Sequence, residues 1–466
     1  MTERNFAIDV VRTLQQAGFQ ALWAGGCVRD ELLGLNPNDY DVATSARPEE
    51  VIRLFRRSIA VGASFGVVEV LGPRGPHRQH LSVEVATFRS DGHYSDGRRP
   101  DSVVFSTPEE DAQRRDFTIN GMFFDPLADQ LHDFVGGQAD LKAKILRAIG
   151  DPAKRFAEDK LRMLRAVRIA ARFELDIDPD TLESAKASAS EIRVVSAERI
   201  ADELRKMLSH PHRFRGVRLL REFDLVEPVL PELVPTFMLP QGPPAAPTGT
   251  LWDHLLRVVE LLEAPTWPHP AEISFPLAFA TLLHDIGKPR VVGRTAEKYT
   301  FHGHEHVGRQ MAMKIADRLK LSNAEKDHMT WLVEKHQFLA DAPVMKQSTL
   351  KPILAHPGIG ELLALHRADA LASGRSLAAI EFCERMLQET PPEELDPPPL
   401  LTGADLIATG MKPGPEFKRV LTALRIAQLE GQVRTKPEAI TLAKALLHPI
   451  FLKLPGLPSD GPSRIV

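Results

Sequence analysis

Two proline-rich stretches, LPQGPPAAPTGT from Leu239 to Thr250 and ETPPEELDPPPLL from Glu389 to Leu401, prevent this chain from folding as one continuous unit. Proline lacks a backbone donor and cannot propagate helix or sheet, so each stretch is expected to be a linker. At 466 residues the chain also exceeds what a single core usually supports. Ahead of the first linker the patterning changes once. Up to about Ile145, short β-branched runs (IAVGASFGVVEVL, LSVEVATF, SVVF) alternate with turns, which predicts a mixed sheet with flanking helices. From Leu146 to Pro240 the period turns helical, as in RFAEDKLRMLRAVRIAARF and SAERIADELRKMLSH. The expectation is an α+β chain in four parts: a mixed-sheet head (1–145), an all-α neck and body (146–240), a histidine-rich helical domain (250–388) and a small helical tail (400–466).

Composition narrows the function classes. Hydrophobic content of 43% is ordinary for a globular chain, and no apolar run is long enough to span a bilayer. The start, MTERNFAIDVV, is charged and has no signal-peptide core, and Cys27 and Cys383 stand too far apart for a disulfide framework. A cytoplasmic location is expected. The net charge of −4 does not advertise nucleic-acid binding, so any RNA contact must come from local basic clusters.

The chemistry-bearing motifs begin at WAGGCVRD. Gly25 and Gly26 sit where the strand ALWA should turn into a helix, placing bare backbone N–H groups where phosphates can be held. Shortly after, Asp39 and Asp41 in NDYDVATS occupy alternate positions of an expected strand and would face the same way, as ligands for hard divalent cations. A phosphate cradle followed by a carboxylate pair implies a nucleoside triphosphate gripped through metals. The plain alternative is a surface turn with two solvated aspartates.

With VGASFGVVEV, VEVATFR, YSDGRRPDSVVF, RRDFTIN and GDPAKRFAEDKLRMLRAVRIAARF following in that order, the chain resembles the bacterial class of tRNA nucleotidyltransferases and poly(A) polymerases, closely over the first half and more loosely to the end. The resemblance implies a nucleotidyltransferase head, two Mg²⁺ ions on Asp39 and Asp41, and Glu84 as a third carboxylate helping to activate the attacking hydroxyl. It places Gly25, Gly26 and Arg29 on the triphosphate, and Arg115, Asp116 and Asn120, with Arg114, along the nucleotide pocket. Asp30 has the plain reading of a helix-start carboxylate or an arginine partner. Gly121 stands where the family more often has alanine or serine.

Asp159 and Arg162 are three apart, so a continuous helix would set them side by side on one face. Such pairs are usually solvated salt bridges, but a carboxylate beside a guanidinium also copies a base edge: it matches cytosine and adenine and mismatches uracil and guanine. The family motif has that role, and the resemblance carries it to Asp159 and Arg162, with Arg165 and Arg168 as further triphosphate contacts. The polar, glycine-rich segment 91–104 is expected to be the loop of members able to add the terminal A.

The third part, with WDHLLRVVELL, ATLLHDIGKPRV, FHGHEHVGR, WLVEKHQ and RADALAS, resembles the HD phosphohydrolase superfamily. The resemblance implies a divalent metal, of unspecified identity, on His254, His284, Asp285 and Asp369, with His304 and His336 as a possible second set. His302 and His306 are expected in a loop or on the surface, with His306 the alternative to His304. In the tail a Pro-Gly-Pro turn before Glu416, Lys418 and Arg419 suggests contact with the body of tRNA, a helical hairpin cap being the alternative.

The expected activity is template-independent addition of C and A to tRNA 3′ ends from CTP and ATP. The alternatives are A-only addition or poly(A) synthesis, which share nearly every motif, a non-catalytic nucleotide-sensing RNA binder, and an HD hydrolase with the head as a binding module. Neither a membrane nor DNA is an expected partner, and the sequence leaves the oligomeric state open.

Overall fold

The computed structural model describes residues 2–62, 66–74, 80–92, 102–242, 248–268, 270–295, 297–408, 410 and 413–446. Most of the segment expected to form the A-adding loop, residues 93–101, lies outside the described residues. The chain divides into two compact units. The first comprises 1–256, 292–300 and 310–326, and the second 257–291, 301–309 and 327–466.

In the first unit the head is built on nine strands: β1 (Ala21–Ala24), β2 (Asp41–Thr44), β3 (Ser58–Gly62), β4 (Val67–Arg74), β5 (His80–Thr87), β6 (Arg89–Asp91), β7 (Val103–Phe105), β8 (Phe123–Asp125) and β9 (Gln130–His132). Seven of them form one mixed sheet in the order β3-β4-β5-β2-β1-β8-β9, while β6 and β7 pair with each other. The parallel pair β2–β5 sits at the centre and registers Asp41 against Glu84. Leu22, Ala24, Ala43, Phe88, Ala112 and Phe123 form a buried cluster against one side of the sheet.

The head helices are α1 (Glu3–Gln16), α2 (Gly26–Leu32), α3 (Pro48–Leu54), α4 (Pro108–Gln113) and α5 (Gly137–Ala143). The strand-to-helix turn expected at Gly25 and Gly26 is present, with Gly25 at φ +75°, which costs glycine least. The strand expected to carry both aspartates is shorter than its sequence suggests: β2 begins at Asp41, and Asp39 lies in the approach to it. The pairing partner explains this, because Ala24, opposite Asp41, is the last residue of β1.

The helical continuation is α6 (Pro152–Glu158), α7 (Arg162–Phe173), α8 (Pro179–Ser188), α9 (Ala197–Leu208) and α10 (Arg213–Glu222). Met163, Leu164, Ala166, Val167, Ile169, Ala170 and Ala171 of α7 are buried, and Glu174 ends the helix in the left-handed region at φ +54°. Asp159 caps the end of α6 with extended backbone, and α7 starts only at Arg162. The two are therefore not neighbours on one helix face. The reason is local: the Asp159 side chain accepts from the Leu161 N–H at 3.0 Å and turns the chain there.

The linkers also carry more structure than prolines predict. Pro240–Gln241 pairs antiparallel with Gly249–Thr250, and Pro392–Leu395 forms one helical turn. In the second unit, helix Phe275–Leu283 is buried along its length apart from Pro276, and the tail closes over its own cluster of Leu401, Leu406, Val420, Leu424, Ala427, Val433, Ala439 and Ala443.

One close approach positions the site. A Cβ on Gly137, at the start of α5, would lie 2.2 Å from the Thr118 carbonyl oxygen, in the short 3-10 turn Thr118–Asn120. Gly137→Ala should therefore destabilise the protein by about 2–3 kcal/mol, at the upper end of overpacking costs because the obstacle is backbone. Urea denaturation of the two proteins side by side measures this.

Candidate functional site

The β2–β5 register brings two carboxylates together from different parts of the sequence. Asp41 and Glu84 are Cα partners across parallel strands, and Asp39 precedes them. All three side chains remain open to solvent at the sheet's mouth. Surrounding protein first, and then Asp39 and Glu84, push the Asp41 carboxyl up to about 7, with Arg115 pulling the other way. Neighbouring protein atoms around its partly enclosed carboxyl, and then Glu69 and Asp39, raise Glu84 as well, although the residue stays exposed overall. No ion pair neutralises Asp39, Asp41 or Glu84 among the described residues. Neighbouring carboxylates without a counter-charge suit a hard divalent cation, and these residues would hold it, although the three do not bring one oxygen each within 4.8 Å of the others in this structure.

The glycine turn lies beside this mouth. Gly25 donates its N–H to the Met122 carbonyl at 3.2 Å, and a Cβ there would sit 3.0 Å from an Arg115 nitrogen. Arg115 thus lies across the turn, held by Asp111 at 2.9 and 3.1 Å and stacked over Phe123 at 4.9 Å. Asp111 also takes Arg114 at 2.9 Å and the Arg89 N–H at 3.2 Å. Burial acts to raise the Asp111 carboxyl, but Arg115 and Arg114 hold it low. This aspartate is absent from the sequence-based site, although its i,i+3 and i,i+4 spacing to Arg114 and Arg115, just past the end of α4, is the signal that would find it.

Arg29 is placed differently from its expected role. Only 6% exposed, it donates to Asp30 at 2.6 and 2.8 Å and to the Asn120 side-chain oxygen Oδ1 at 2.6 Å, and it stacks on Phe173 at 4.1 Å. Its donors are engaged inside the protein. It joins α2 to the end of α7, where Arg172 also approaches Asp30 at 3.6 Å. Asp30 is accordingly an arginine partner, one form of its plain reading.

Asp116 ties the head to the neck. Its Oδ1 accepts from the Phe117 N–H at 2.8 Å and the Asn120 amide at 3.1 Å, while Oδ2 accepts from Arg165 at 2.6 and 2.9 Å. Burial opposes ionisation, yet Arg165, Asn120 and Arg162 hold the carboxyl far below the usual range. Asp159 presents Oδ2 to Arg199 of α9 at 2.7 Å. Arg162 donates to Glu158 at 2.6 Å, to the Arg155 carbonyl at 3.0 Å and to the Arg114 carbonyl at 3.1 Å. Arg168 is bound to the buried Glu203. Arg199 and Glu203, one turn apart on α9, are further residues that sequence reasoning misses; their i,i+4 spacing is visible, but their partners on another helix are not.

The second unit carries a separate cluster. His284, Asp285, His304, His336 and Asp369 are all buried. Each of the three imidazoles gives Nδ1 to a backbone carbonyl at 2.8 Å: His284 to Thr281, His304 to Phe301 and His336 to Val333. That leaves the three Nε2 atoms facing carboxylates: His284 lies 3.3 Å from Asp285, His304 3.1 Å from Asp285, and His336 3.4 Å from Asp285. Asp369 stands 4.0 Å from His284. Fixing one ring nitrogen on backbone so that the other meets a ligand is how metal-binding histidines are oriented. The residues fit a divalent ion. They also merge the two expected sets, since Asp285 serves both. His254 is half-buried on helix Leu251–Leu261, in the first unit. His302 and His306 are exposed, as expected. Burial pushes both Cys27 and Cys383 thiols up to about 12, so neither is primed as a nucleophile.

Asp116 yields a pH-dependent prediction. Asp116→Asn should cost about 2 kcal/mol at neutral pH, the usual worth of hydrogen bonds to a charged group. Because the folded carboxyl is depressed, the wild-type advantage is fully present above the unfolded value of about 3.9 and shrinks as pH falls below it. Urea midpoints compared at neutral and acidic pH check both parts.

Three family models match in order: the poly A polymerase head domain over 21–147, the probable RNA and SrmB- binding site of polymerase A over 174–236, and the HD domain over 251–374. The CCA-adding enzyme of Levilactobacillus brevis is 30% identical over 443 residues, covering 95% of this chain and 97% of that protein. The CCA-adding enzyme of Lactobacillus helveticus is 40% identical over 55% of this chain and 63% of its own length. Poly(A) polymerase I of Salmonella typhi is 38% identical over 50% of this chain, and the match spans only 51% of that relative's length. Among solved structures, the Bacillus stearothermophilus CCA-adding enzyme in complex with CTP superimposes with a TM-score of 0.70 at 28% identity, over 96% of this chain and 98% of that one. The Thermotoga maritima CCA-adding enzyme complexed with tRNA shares the fold at a TM-score of 0.59 and 20% identity.

Proposed function

Since this chain belongs to the family of CCA-adding tRNA nucleotidyltransferases and bacterial poly(A) polymerases and carries an HD domain, we propose that it adds C and A to the 3′ end of tRNA from CTP and ATP. The observation that carries this reading is the unneutralised carboxylate mouth of Asp39, Asp41 and Glu84 beside the Gly25 turn. Full CCA addition is favoured over poly(A) synthesis because the likeness to a CCA-adding enzyme runs nearly end to end, whereas that to poly(A) polymerase stops at half. The four-part division at 145, 240 and 400 and a cytoplasmic location belong to the same proposal. No described helix is long and apolar enough to cross a membrane.

In this reading the 3′ oxygen of the RNA attacks the α-phosphorus, the bond to the β-phosphate oxygen breaks, and pyrophosphate leaves. Two magnesium ions, when bound to Asp39 and Asp41, would supply charge neutralisation for the phosphates. Glu84, its carboxyl raised by burial and by Glu69, accepts the hydroxyl proton. Arg115, set across the glycine turn by Asp111, donates to the triphosphate. Asn120 and Asp116 hold the ribose side of the pocket, and Arg114 and Arg165 complete its positive wall. Arg29 and Arg168 contribute by fixing α2 and α7 rather than by touching nucleotide. Asp159 and Arg162 read the base edge across the bend between α6 and α7, where a base amino group competes with Arg199 for one carboxylate oxygen. In the second unit, the His284, Asp285, His304, His336 and Asp369 cluster would hold a divalent metal for phosphoester hydrolysis.

Asp41→Asn should lower nucleotide incorporation by several orders of magnitude with tRNA binding retained, measured on tRNAs ending at the discriminator base, at C and at CC with single labelled nucleotides. Incorporation within tenfold of wild type would place the site elsewhere. Asp159→Ala and Arg162→Ala should each narrow the preference for CTP and ATP over UTP and GTP by roughly ten- to a hundredfold, the worth of a matched polar pair on a base edge. Competition among all four nucleotides reads this directly, and unchanged preference in both variants would reduce the two residues to structural ion pairs. His284→Ala should abolish metal-dependent phosphatase or cyclic phosphodiesterase activity and spare nucleotide addition; loss of addition in a folded variant would refute the independence of the two sites.

A further inference from the structure

The exposed face of the β4–β5 hairpin changes charge along its length. On β5, His80, Ser82 and Glu84 are exposed while Leu81, Val83 and Val85 are buried, so His80 shares a face with Glu84. On β4, Glu69 is registered with Glu84, Leu71 with Ser82 and, past a bulge, Arg74 with His80. The face therefore runs from an acidic end at the carboxylate mouth to a basic end at Arg74 and His80. Four residues of strand separate Glu84 from His80, about 13 Å.

At the basic end is an open pocket of about 460 Å³ lined by Arg57, Leu71, Pro73, Arg74 and His80. The Leu71 N–H bonds to the Arg57 carbonyl at 2.8 Å, which fixes the arginine's backbone against the strand. His80 bonds through Nδ1 to the Gly72 carbonyl at 2.9 Å, so Nε2 remains for a ligand. Most arginines around the nucleotide site are committed to carboxylates, among them Arg29, Arg114, Arg115, Arg162, Arg165 and Arg168. Arg57 and Arg74, by contrast, have no ion-pair partner among the described residues.

Topology says which substrate this face meets. The glycine turn follows β1 and Asn120 precedes β8, so the elements proposed to hold the nucleoside triphosphate lie on the β1–β8 side of Asp41. Glu84 and the hairpin lie on the opposite side, where the attacking 3′ hydroxyl must arrive. We infer that the Arg57–Arg74–His80 pocket binds a backbone phosphate of the acceptor RNA upstream of its reacting end. The separation of about 13 Å places that phosphate within the first few nucleotides of the 3′ terminus. This inference rests on the nucleotidyltransferase reading and adds to it an RNA subsite that orients the acceptor.

The test uses the full chain and tRNA lacking its CCA end. Arg57→Glu with Arg74→Glu should raise the KM for tRNA about tenfold, leave kcat at saturating tRNA and the KM for CTP and ATP unchanged, and make tRNA binding less salt-dependent. The slope of log K against log salt should fall by about 0.7–0.9 for each phosphate that the variant no longer neutralises. The milder Arg57→Gln, Arg74→Gln pair should show the same pattern to a smaller degree. A KM for tRNA within twofold of wild type, with an unaltered salt slope, would overturn the inference while leaving wild-type addition intact. A failure of the function itself would appear instead as no addition by the wild type. Titration with inorganic phosphate separates the remaining possibility: a site that binds free phosphate in the wild type but not in the variants, with tRNA kinetics unchanged, is an anion site unrelated to the acceptor and equally overturns the proposal.

Discussion

The buried carboxylate of Asp116 is the interaction on which the proposed nucleotide site depends. It receives a backbone N–H, the Asn120 amide and two donors, Nε and Nη2, of Arg165, so a single side chain fixes the head turn, a pocket amide and the neck helix α7. A carboxylate with this many charge-assisted bonds stays ionised against the penalty of burial. Asp111 performs the matching task one turn earlier, setting Arg114 and Arg115 side by side. The positive wall of the pocket is thus held by acids behind it rather than by the substrate, which keeps the guanidiniums in place before any phosphate arrives.

The neck helix is tied down along its whole length in the same manner. Arg162 reaches the Arg114 carbonyl, Arg165 reaches Asp116, Arg168 reaches Glu203, and Arg172 and Phe173 meet Asp30 and Arg29. These arginines recur every three to four residues, and the helix rotates each toward a different acceptor. A run that looks in sequence like one phosphate-binding stripe is in fact distributed over the head, the body and the pocket. Most of its charge serves to orient α7, and Arg165, 38% exposed at its side chain, keeps more open access than Arg162 or Arg168, the neighbouring arginines of that helix paired to carboxylates.

What is legible in the sequence follows from the range of the interactions involved. The glycine turn, the order of the head motifs and the histidine-rich domain are local or strictly ordered along the chain, and they can be read directly. The Asp159–Arg162 spacing reads as helical because three-residue separation is the helix's own signature; the extended backbone of Asp159 breaks it, and the cause, a side chain bonding two residues ahead, competes locally with the helix. Arg29 reads as a phosphate donor from its motif, yet its fate depends on Phe173 and Asn120, both far off in sequence. Long-range partners of charged side chains are what a single sequence hides, and Arg199 and Glu203 stay invisible in it for that reason.

The two candidate metal centres differ in a way that suits one chain carrying both. Asp39, Asp41 and Glu84 offer only oxygen, at a mouth open to solvent, which favours a hard ion that keeps part of its water shell and shares its remaining positions with phosphates. The His284 cluster offers imidazole nitrogens with carboxylates, fully buried, each ring fixed through Nδ1 to backbone. Imidazole raises affinity for borderline transition metals over magnesium. Donor chemistry alone therefore sorts the ions, so neither centre needs to exclude the other's metal by shape.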